Sequence, residues 1–265
     1  MGILDFIHWN VSPTLFEIGS LQIRYYGLLF AGGFLISYYM VQKFYEREGL
    51  DIEEVDKLTM FVLLGAVIGA RLGHILFYEP AYYFANPSEM IKVWHGGLAS
   101  HGGTLGILLA LIIYVRKYKR GYLWTLDRIA VPTALTAAFI RFGNLMNSEI
   151  YGHETSLPWG FVFERNHETI PKHPTQIYES ISYFLIFILL WFLYKKEGKN
   201  TPQGKIVGIF LILAFGLRFF IEFIKNNQVE FEQGMLLNMG QWLSIPMIIL
   251  GGFFLYRSNK NPLSS

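Results

Sequence analysis

The chain has 265 residues, of which 52% are hydrophobic and only 16% are charged, well below the roughly 25% of a soluble domain. This composition excludes an ordinary soluble domain and predicts an all-α integral membrane protein. The net charge of +2 gives no reason to expect a nucleic-acid partner. The chain contains no cysteine, which excludes a disulfide framework, a thiolate zinc site and a cysteine nucleophile of its own.

Seven apolar stretches run along the chain, each of about 20 residues, the length that a bilayer core requires. We predict membrane spans at 18–42, 58–78, 97–115, 124–147, 175–194, 205–224 and 237–256. Residues 150–172 form the longest polar connection and are predicted to make a small cap. The chain is therefore expected to be a single membrane domain over residues 1–265, a seven-transmembrane-helix bundle with a periplasmic cap.

Basic residues are distributed unevenly over the connections between these stretches. Thirteen lie in the segments 43–57, 116–123 and 195–205 and in the C-terminal tail, whereas four lie in the connections on the other side. Because cytoplasmic loops carry the excess of Lys and Arg, this distribution predicts a periplasmic N-terminus and a cytoplasmic C-terminus.

The five remaining basic residues are all arginines: Arg24, Arg71, Arg128, Arg141 and Arg218. Arg128 follows Asp127 near the cytoplasmic end of the fourth stretch and is interpreted as an anchor. The other four lie in or near the outer halves of spans, where a planar guanidinium can grip phosphate oxygens in pairs. They indicate a site for an anionic lipid headgroup. The alternative is that each arginine is paired with a carboxylate such as Glu222.

The stretch IRFGNLMNSE at 140–149 is unusually polar for the end of an apolar run. On a helix, Arg141, Asn144 and Ser148 would share one face, and Gly143 would allow a ligand or another backbone to come close. A cation at membrane depth costs about 2.5 kcal/mol or more, so Arg141 is a functional candidate. Alternatively, Arg141 lies at a helix end and reaches out to lipid headgroups.

Two histidines, His95 and His101, are each followed by a pair of glycines. Paired glycines predict irregular backbone that enters the membrane where it is buried in protein or lines a wet cavity. A metal site is disfavoured because no third ligand is patterned nearby, and no cofactor is expected. One of the histidines is better interpreted as a base that works near neutral pH.

The motifs IRFGNLMNSE, WHGGLASHGG, HPTQIYE, GARLGHILFY and RFFIEF together resemble the bacterial prolipoprotein diacylglyceryl transferases over residues 18–256. The element R-x-G-N-x-x-N-x-E at 141–149 is the most specific of them. The resemblance implies a multi-pass protein of the bacterial inner membrane whose site opens to the periplasm. It also implies transfer of the diacylglyceryl group of phosphatidylglycerol to the lipobox cysteine of a prolipoprotein signal peptide, which forms a thioether and releases glycerol phosphate.

Carried over residue by residue, the resemblance implies a small set of site residues. The catalytic ones are His101, Arg141 and Arg218, and the phosphatidylglycerol-binding ones are Arg141, Asn144, Asn147, Glu149, Arg71, Tyr26, Tyr78 and Glu222. Two positions depart from the family pattern: Lys225 stands where arginine is frequent, and Ala214 where tyrosine is frequent. The competing hypothesis is a lipid or anion transporter whose arginines line the transport site.

Overall fold

The computed structural model describes residues 6–19, 21–227, 232 and 234–260. Helices dominate this part of the chain; three short strands precede the first helix and a fourth lies between α5 and α6. The helices are α1 (Tyr25–Glu48), α2 (Glu53–Phe77), α3 (Pro80–Ala85), α4 (Ser100–Tyr118), α5 (Tyr122–Met146), α6 (Thr175–Glu197), α7 (Lys205–Ile221) and α8 (Met239–Lys260). The strands are β1 (Ile7–Trp9), β2 (Thr14–Ile18), β3 (Leu21–Arg24) and β4 (Phe161–Phe163).

Five helices in the described residues are long and apolar enough to cross a membrane, judged by length and composition alone. They are Glu53–Phe77, Tyr122–Met146, Thr175–Asn200, Lys205–Ile224 and Met239–Lys260. The chain is therefore a multi-pass membrane protein with a mainly helical fold. The predicted spans 18–42 and 97–115 overlap α1 and α4, which are 24 and 19 residues long but less apolar than the other five.

The start of the first predicted span is wrong. Residues 14–24 form a hairpin in which β2 and β3 pair antiparallel, with Thr14 opposite Arg24. Helix α1 begins only at Tyr25, so Arg24 lies in an exposed strand and not in a helix. The turn between the strands contains Gly19 at a φ of 60°, a backbone conformation that glycine adopts without steric cost.

The chain divides into two compact units, 1–41 with 126–265 and 42–125, and both boundaries fall inside helices, α1 and α5. In the unit 42–125, α2 and α4 pack along glycines spaced four residues apart. A Cβ atom at Gly69 would lie 2.7 Å from the Cα of Gly106, and one at Gly73 would lie 2.8 Å from the Cα of Gly102. Small residues at this spacing bring helix backbones into contact, as is typical of membrane helix pairs.

In the unit 1–41 with 126–265, a buried carboxylate begins helix α7. The two oxygens of Asp127 accept hydrogen bonds from the backbone nitrogens of Gly204 at 2.7 Å and Val207 at 2.9 Å. These donors belong to the first turn, where a helix leaves its N–H groups without partners. The neighbouring Arg128 is 1% exposed, and its guanidinium lies 5.9 Å from the ring centre of Tyr194. Arg128, interpreted from the sequence as an anchor, is therefore a buried side chain of this unit.

The connection between α5 and α6 has a small apolar core of its own. Strand β4 pairs in parallel with β1, with Ile7 opposite Phe161 and Trp9 opposite Phe163. Phe161 and Phe163 are buried together with Leu145 of α5, and Trp9 packs against them. This connection thus folds around aromatic side chains that pack against Leu145 near the C-terminal end of α5.

Candidate functional site

The polar stretch at the end of α5 forms a sharp turn. The helix ends at Met146, and Ser148 and Ile150 then adopt left-handed backbone conformations with φ of 54° and 62°. Asn144 remains helical and faces Arg141, whereas Ser148 leaves the helix, so the prediction that it shares their face is wrong. A β-branched residue such as Ile150 rarely adopts a positive φ, so its surroundings must hold it there.

Side chains from elsewhere in the same unit hold this turn by its carbonyl groups. Four carbonyls accept such bonds: Leu145 from Trp9 at 3.1 Å, Ser148 from Asn166 at 2.6 Å, Glu149 from Gln176 at 2.7 Å and Ile150 from Thr175 at 2.9 Å. The carbonyls of Ser148, Glu149 and Ile150 lie beyond the helix end and gain a partner in this way, while that of Leu145 also accepts from the backbone nitrogen of Ser148 at 2.9 Å. The turn is therefore fixed from outside, by the connecting segment and by the first turn of α6.

The amide groups of the turn converge on one carboxylate. Arg141 donates to the Oδ1 of Asn144 at 3.3 Å, and the Nδ2 of Asn144 donates to Glu149 at 2.7 Å. The Nδ2 of Asn147 donates to the same oxygen of Glu149 at 3.1 Å. Four residues predicted to bind the headgroup thus form one connected chain of hydrogen bonds from a guanidinium to a carboxylate.

Arg141 also belongs to an ion-pair network that joins α5, α6 and the end of α7. Arg141 lies 3.1 Å from Glu179, and Arg218 lies 3.3 Å from Glu222. Lys225 bridges the two carboxylates, at 3.1 Å from Glu179 and 3.4 Å from Glu222. Three cations therefore share two carboxylates, which leaves an excess of positive charge in this network.

The two arginines are the accessible cations of this network. The side chains of Arg141 and Arg218 are 17% and 32% exposed, whereas those of Lys225, Glu179 and Glu222 are at most 5% exposed. An anion can therefore reach the guanidinium groups, while the buried lysine balances the carboxylates behind them. Glu179 and Lys225 were not predicted as site residues. The polar stripe that Glu179 forms with Gln176 and Tyr183 on an otherwise apolar helix was the available signal.

Tyr26 lies against α5 in the same unit. A Cβ atom at Gly143 would come within 2.9 Å of the Tyr26 ring, so only glycine leaves room for this contact. The ring is half-buried near the start of α1. The glycine of the R-x-G-N element thus makes room for an aromatic side chain of the protein itself, one residue away from Asn144.

In the unit 42–125, Arg71 is committed to backbone carbonyls. Its guanidinium donates to Met90 at 2.9 Å, to Gly97 at 3.1 Å and to the carbonyls of Glu89 and Gly96. Four of the five N–H donors of an arginine are thereby used. The side chain is buried, and its charge lies 4.7 Å from the ring centre of Tyr83. Arg71 was predicted to bind a lipid headgroup, and in this structure its guanidinium contacts the segment 89–97.

The first glycine pair makes the irregular backbone that the sequence predicted. Gly96 and Gly97 have φ of 84° and 70°, and a Cβ atom at Gly97 would lie 2.7 Å from the ring of His74. The second pair behaves differently, because Gly102 and Gly103 are helical and lie in the first turns of α4. The same dipeptide thus has two roles: the first pair turns the chain, and the second brings α4 against α2.

His101 lies in the first turn of α4 and stacks on Tyr78, with ring centres 5.9 Å apart. Tyr78 in turn stacks on His74 at 5.4 Å. His74 lies 3.6 Å from Glu79, and His95 lies 3.0 Å from Glu89. His101 is exposed, and no hydrogen bond engages its ring within the described part of the chain. Of these three histidines it has the ring nitrogens best placed to exchange a proton with a ligand.

Comparison with known proteins gives a consistent result. The sequence profile of the prolipoprotein diacylglyceryl transferase family matches residues 13–257. The chain belongs to this family. It is 48% identical over 255 residues to the phosphatidylglycerol–prolipoprotein diacylglyceryl transferase of Tolumonas auensis, covering 96% of this chain and 98% of the relative. The Bacteroides fragilis protein of the same name is 47% identical over 98% of both chains.

A more distant relative with the same name, from Cupriavidus pinatubonensis, is 39% identical over 92% of this chain and 90% of its own. The resemblance drawn from the motifs is therefore confirmed over almost the whole length. Within this diacylglyceryl transferase the structure brings six predicted residues into one unit: Arg141, Asn144, Asn147, Glu149, Arg218 and Glu222. Tyr26 belongs to that unit as well, whereas Arg71, Tyr78 and His101 belong to the other.

Proposed function

We propose that this chain transfers the diacylglyceryl group of phosphatidylglycerol to the lipobox cysteine of a prolipoprotein, the first step of lipoprotein maturation. The observation that carries the proposal is the network in which Arg141, Arg218 and Lys225 share two carboxylates. Its excess positive charge and its two accessible guanidinium groups suit a phosphodiester. The names of the relatives contain phosphatidylglycerol and prolipoprotein, which supports this donor and this class of acceptor.

In the proposed reaction the substrate's thiol sulfur attacks the glyceryl carbon that carries the phosphodiester oxygen. The new S–C bond is a thioether, and the broken C–O bond leaves its electron pair on glycerol phosphate. The leaving group gains one negative charge, and Arg141 and Arg218 stabilise that charge as it develops. The nucleophile belongs to the substrate, which is consistent with an enzyme that contains no cysteine.

His101 takes the proton of the thiol in this proposal. A thiol has a pKa of about 8.5 and an imidazole one of about 6.5, so a neutral histidine is an adequate base near pH 7. The absence of an intramolecular hydrogen bond to His101 within the described residues leaves its ring nitrogens available. Tyr78 keeps the ring in place by stacking on it.

The remaining predicted residues have supporting roles. Asn144, Asn147 and Glu149 bind the polar end of the lipid, and Tyr26 shapes the wall beside Gly143. Glu222 holds Arg218 and Lys225 in position. Arg71 acts as a positioning residue, because its donors are already used by the segment 89–97.

The proposed topology is a single domain of seven spans in the bacterial inner membrane, with a periplasmic N-terminus, a cytoplasmic C-terminus and residues 150–172 as a periplasmic cap. The unit boundaries inside α1 and α5 support a chain without a linker. Because the chain has no cysteine, single cysteines at Ser156 and Tyr118 would label without background. We expect labelling from opposite sides of the membrane, and labelling of both from one side would refute the topology.

The decisive test of function uses the purified protein, phosphatidylglycerol vesicles and a peptide with a lipobox cysteine. We expect the peptide to gain the mass of one diacylglyceryl group and glycerol phosphate to appear in equal amount. The control peptide has serine in place of the cysteine and should remain unmodified. Movement of lipid or anion across the bilayer without any thioether product would instead identify a transporter.

A further inference from the structure

A tyrosine hydroxyl lies inside the ion-pair network that joins α5, α6 and the end of α7. Tyr183 is only 9% exposed and follows Glu179 by one turn of α6, so the two side chains share a face. Its hydroxyl makes a polar contact with the guanidinium of Arg141 and lies within range of the charges of Arg218 and Glu179. Because a guanidinium has only donors, the phenol oxygen is the acceptor in this contact.

The arrangement of α6 and α7 explains why Tyr183 reaches both arginines. A short connection links the two helices, which makes them antiparallel neighbours. Lys225 pairs with Glu179 of α6 and with Glu222 just after α7, so these carboxylates lie at one level. Tyr183 and Arg218 each lie one turn further into their helices and therefore meet at the next level.

Arg141 is held by three different acceptors. Its Nε lies 3.1 Å from Glu179, its Nη1 donates to Asn144 at 3.3 Å, and Tyr183 is the third partner. Three contacts use three of the five N–H groups of a guanidinium and fix the plane in which the other two point. An anion that reaches this 17% exposed side chain therefore meets N–H groups whose direction is already set.

A phenol also suits this position because it is neutral. Three cations already share two carboxylates in this network. Tyr183 orients a guanidinium without adding a negative charge, because a phenol with an ordinary pKa of about 10 is not ionised near pH 7. The network thus keeps its excess positive charge for a phosphodiester.

The source of this phenol distinguishes the chain from the family pattern. Position 214, one turn before Arg218, frequently holds tyrosine in the family, and in this chain it is a buried alanine. The helix Lys205–Ile221 contains no tyrosine at all. The phenol beside the arginines is therefore supplied by α6 and not by α7.

We infer that Tyr183 is a positioning residue for the transfer reaction, holding the Arg141 guanidinium in the orientation that stabilises the leaving glycerol phosphate. The inference rests on the proposed function and adds to it a residue that contacts the arginine and not the lipid. The leaving group gains its charge only as the C–O bond breaks. The contribution of Tyr183 is therefore larger in the transition state than in the bound lipid.

The test is a double-mutant cycle of Tyr183→Phe and Arg141→Lys, with transfer measured from phosphatidylglycerol vesicles to a lipobox peptide. Tyr183→Phe removes one oxygen atom and keeps the ring, so the packing is preserved. In the wild-type background kcat should fall by about tenfold, with a KM for phosphatidylglycerol within about twofold of normal. In the Arg141→Lys background the same change should lower kcat by less than about twofold, because the guanidinium through which Tyr183 acts is gone.

Tyr194→Phe is the matched control. Tyr194 is another buried tyrosine of α6, and its ring centre lies 5.9 Å from the guanidinium of a different arginine, Arg128. Its kcat, calculated per folded protein after size-exclusion chromatography, should stay near that of the parent protein in both backgrounds. Thermal unfolding of each variant separates a loss of stability from a loss of rate.

An unchanged kcat in Tyr183→Phe, or an equal loss in both backgrounds, would overturn the inference, because Tyr183 would then not act through the guanidinium. A change in KM alone would overturn it as well and make Tyr183 a residue that binds the headgroup. In each of these cases thioether formation by wild type would leave the proposed function intact. If wild type formed no thioether from phosphatidylglycerol, the proposed function would fail and this inference with it.

Discussion

Arg71 and Arg141 both lie in apolar helices, yet their partners differ completely. Arg71 is 4% exposed and directs four N–H groups at backbone carbonyls of one irregular segment. Arg141 retains 17% exposure and contacts Glu179 and Asn144, which are shared with other polar groups. The cost of placing an arginine in a membrane helix is similar in both cases. The partners therefore distinguish an arginine that builds structure from one that can bind a ligand.

The physical difference lies in what a ligand could replace. The carbonyls around Arg71 belong to the main chain and would lose a charged donor if the guanidinium turned away. The carboxylates around Arg141 are also served by Lys225, so the guanidinium can add a phosphate without leaving them unpaired. An anion would thus be resisted at Arg71 and accepted at Arg141.

The largest effect is expected at His101, the residue of the unit 42–125 to which we assign chemistry. His101→Asn keeps a polar side chain but cannot accept the thiol proton near neutral pH, so transfer at pH 7 should fall by about 100-fold or more. As the pH rises toward the thiol's own pKa of about 8.5, thiolate forms unaided and part of the loss should be recovered. Rates between pH 6.5 and 9 with phosphatidylglycerol vesicles and a lipobox peptide measure this.

His95→Asn is the matched control, because His95 also precedes a glycine pair but contacts Glu89. It should transfer at a nearly normal rate. A His101→Asn enzyme that is as defective at pH 9 as at pH 7 would show that His101 does not act mainly as the base. The arginines would then have to activate the thiol by electrostatics alone.

The next largest effect is expected at Arg141. Arg141→Lys keeps the charge but loses the planar fork that can hold Glu179, Asn144 and a phosphate together. Transfer should fall by about tenfold or more, which corresponds to about 1.4 kcal/mol. Arg165→Lys, at an exposed position of the connecting segment, is the control and should be near neutral. Equal losses in the two variants would contradict a specific role for the Arg141 guanidinium.

Local spacing predicted the part of this site that lies within one helix. Arg141 and Asn144 are three residues apart, and their contact follows from helical geometry. Ser148 was misplaced because the helix ends two residues earlier, and the turn depends on bonds from Trp9, Asn166, Gln176 and Thr175, which are distant in sequence. The hairpin at 14–24 was missed because its apolar residues merged with those of the first span.

Long-range partners account for the other errors. Lys225 and Glu179 are 46 residues apart, and no periodic pattern links them. Lys225, which stands where the family frequently has arginine, is a buried cation that bridges two carboxylates. For Arg71 the sequence shows that partners are needed, because a guanidinium lies in an apolar helix. It does not show whether those partners are carbonyls or a ligand.

A smaller effect on transfer is expected from Arg71→Lys than from Arg141→Lys. An ammonium has three donors and no planar fork, so it cannot keep all four carbonyl contacts. Amide hydrogen exchange in residues 89–97 should accelerate by about tenfold, as expected for the loss of about one charged hydrogen bond. The transfer rate should fall by less than it does in Arg141→Lys. A larger loss of transfer with unchanged exchange would make Arg71 a ligand-binding residue.

The smallest effect is expected at Glu89, whose side chain lies on the same segment as the carbonyls that Arg71 binds. Hydrogen bonds from Lys92 first and His95 second lower the pKa of the Glu89 carboxyl below its ordinary value of 4.5. Because the pKa is lowered in the folded state, the contribution of the Glu89 carboxylate to the stability of this segment is fully present above that ordinary value. It is lost as the pH falls through the lowered pKa. Exposed pairs of this kind contribute little.

Exchange in residues 87–95, corrected for its intrinsic pH dependence, should therefore stay constant between pH 7 and 5 and rise only about twofold below about pH 4. Glu89→Gln should show the same small rise already at pH 7 and no further change on acidification. The carbonyl contacts of Arg71 do not titrate, so they should keep the segment ordered throughout. If Glu89→Gln loosens the segment as much as Arg71→Lys does, side-chain charges and not the buried guanidinium hold it. Arg71 would then be free to serve a ligand as Arg141 does.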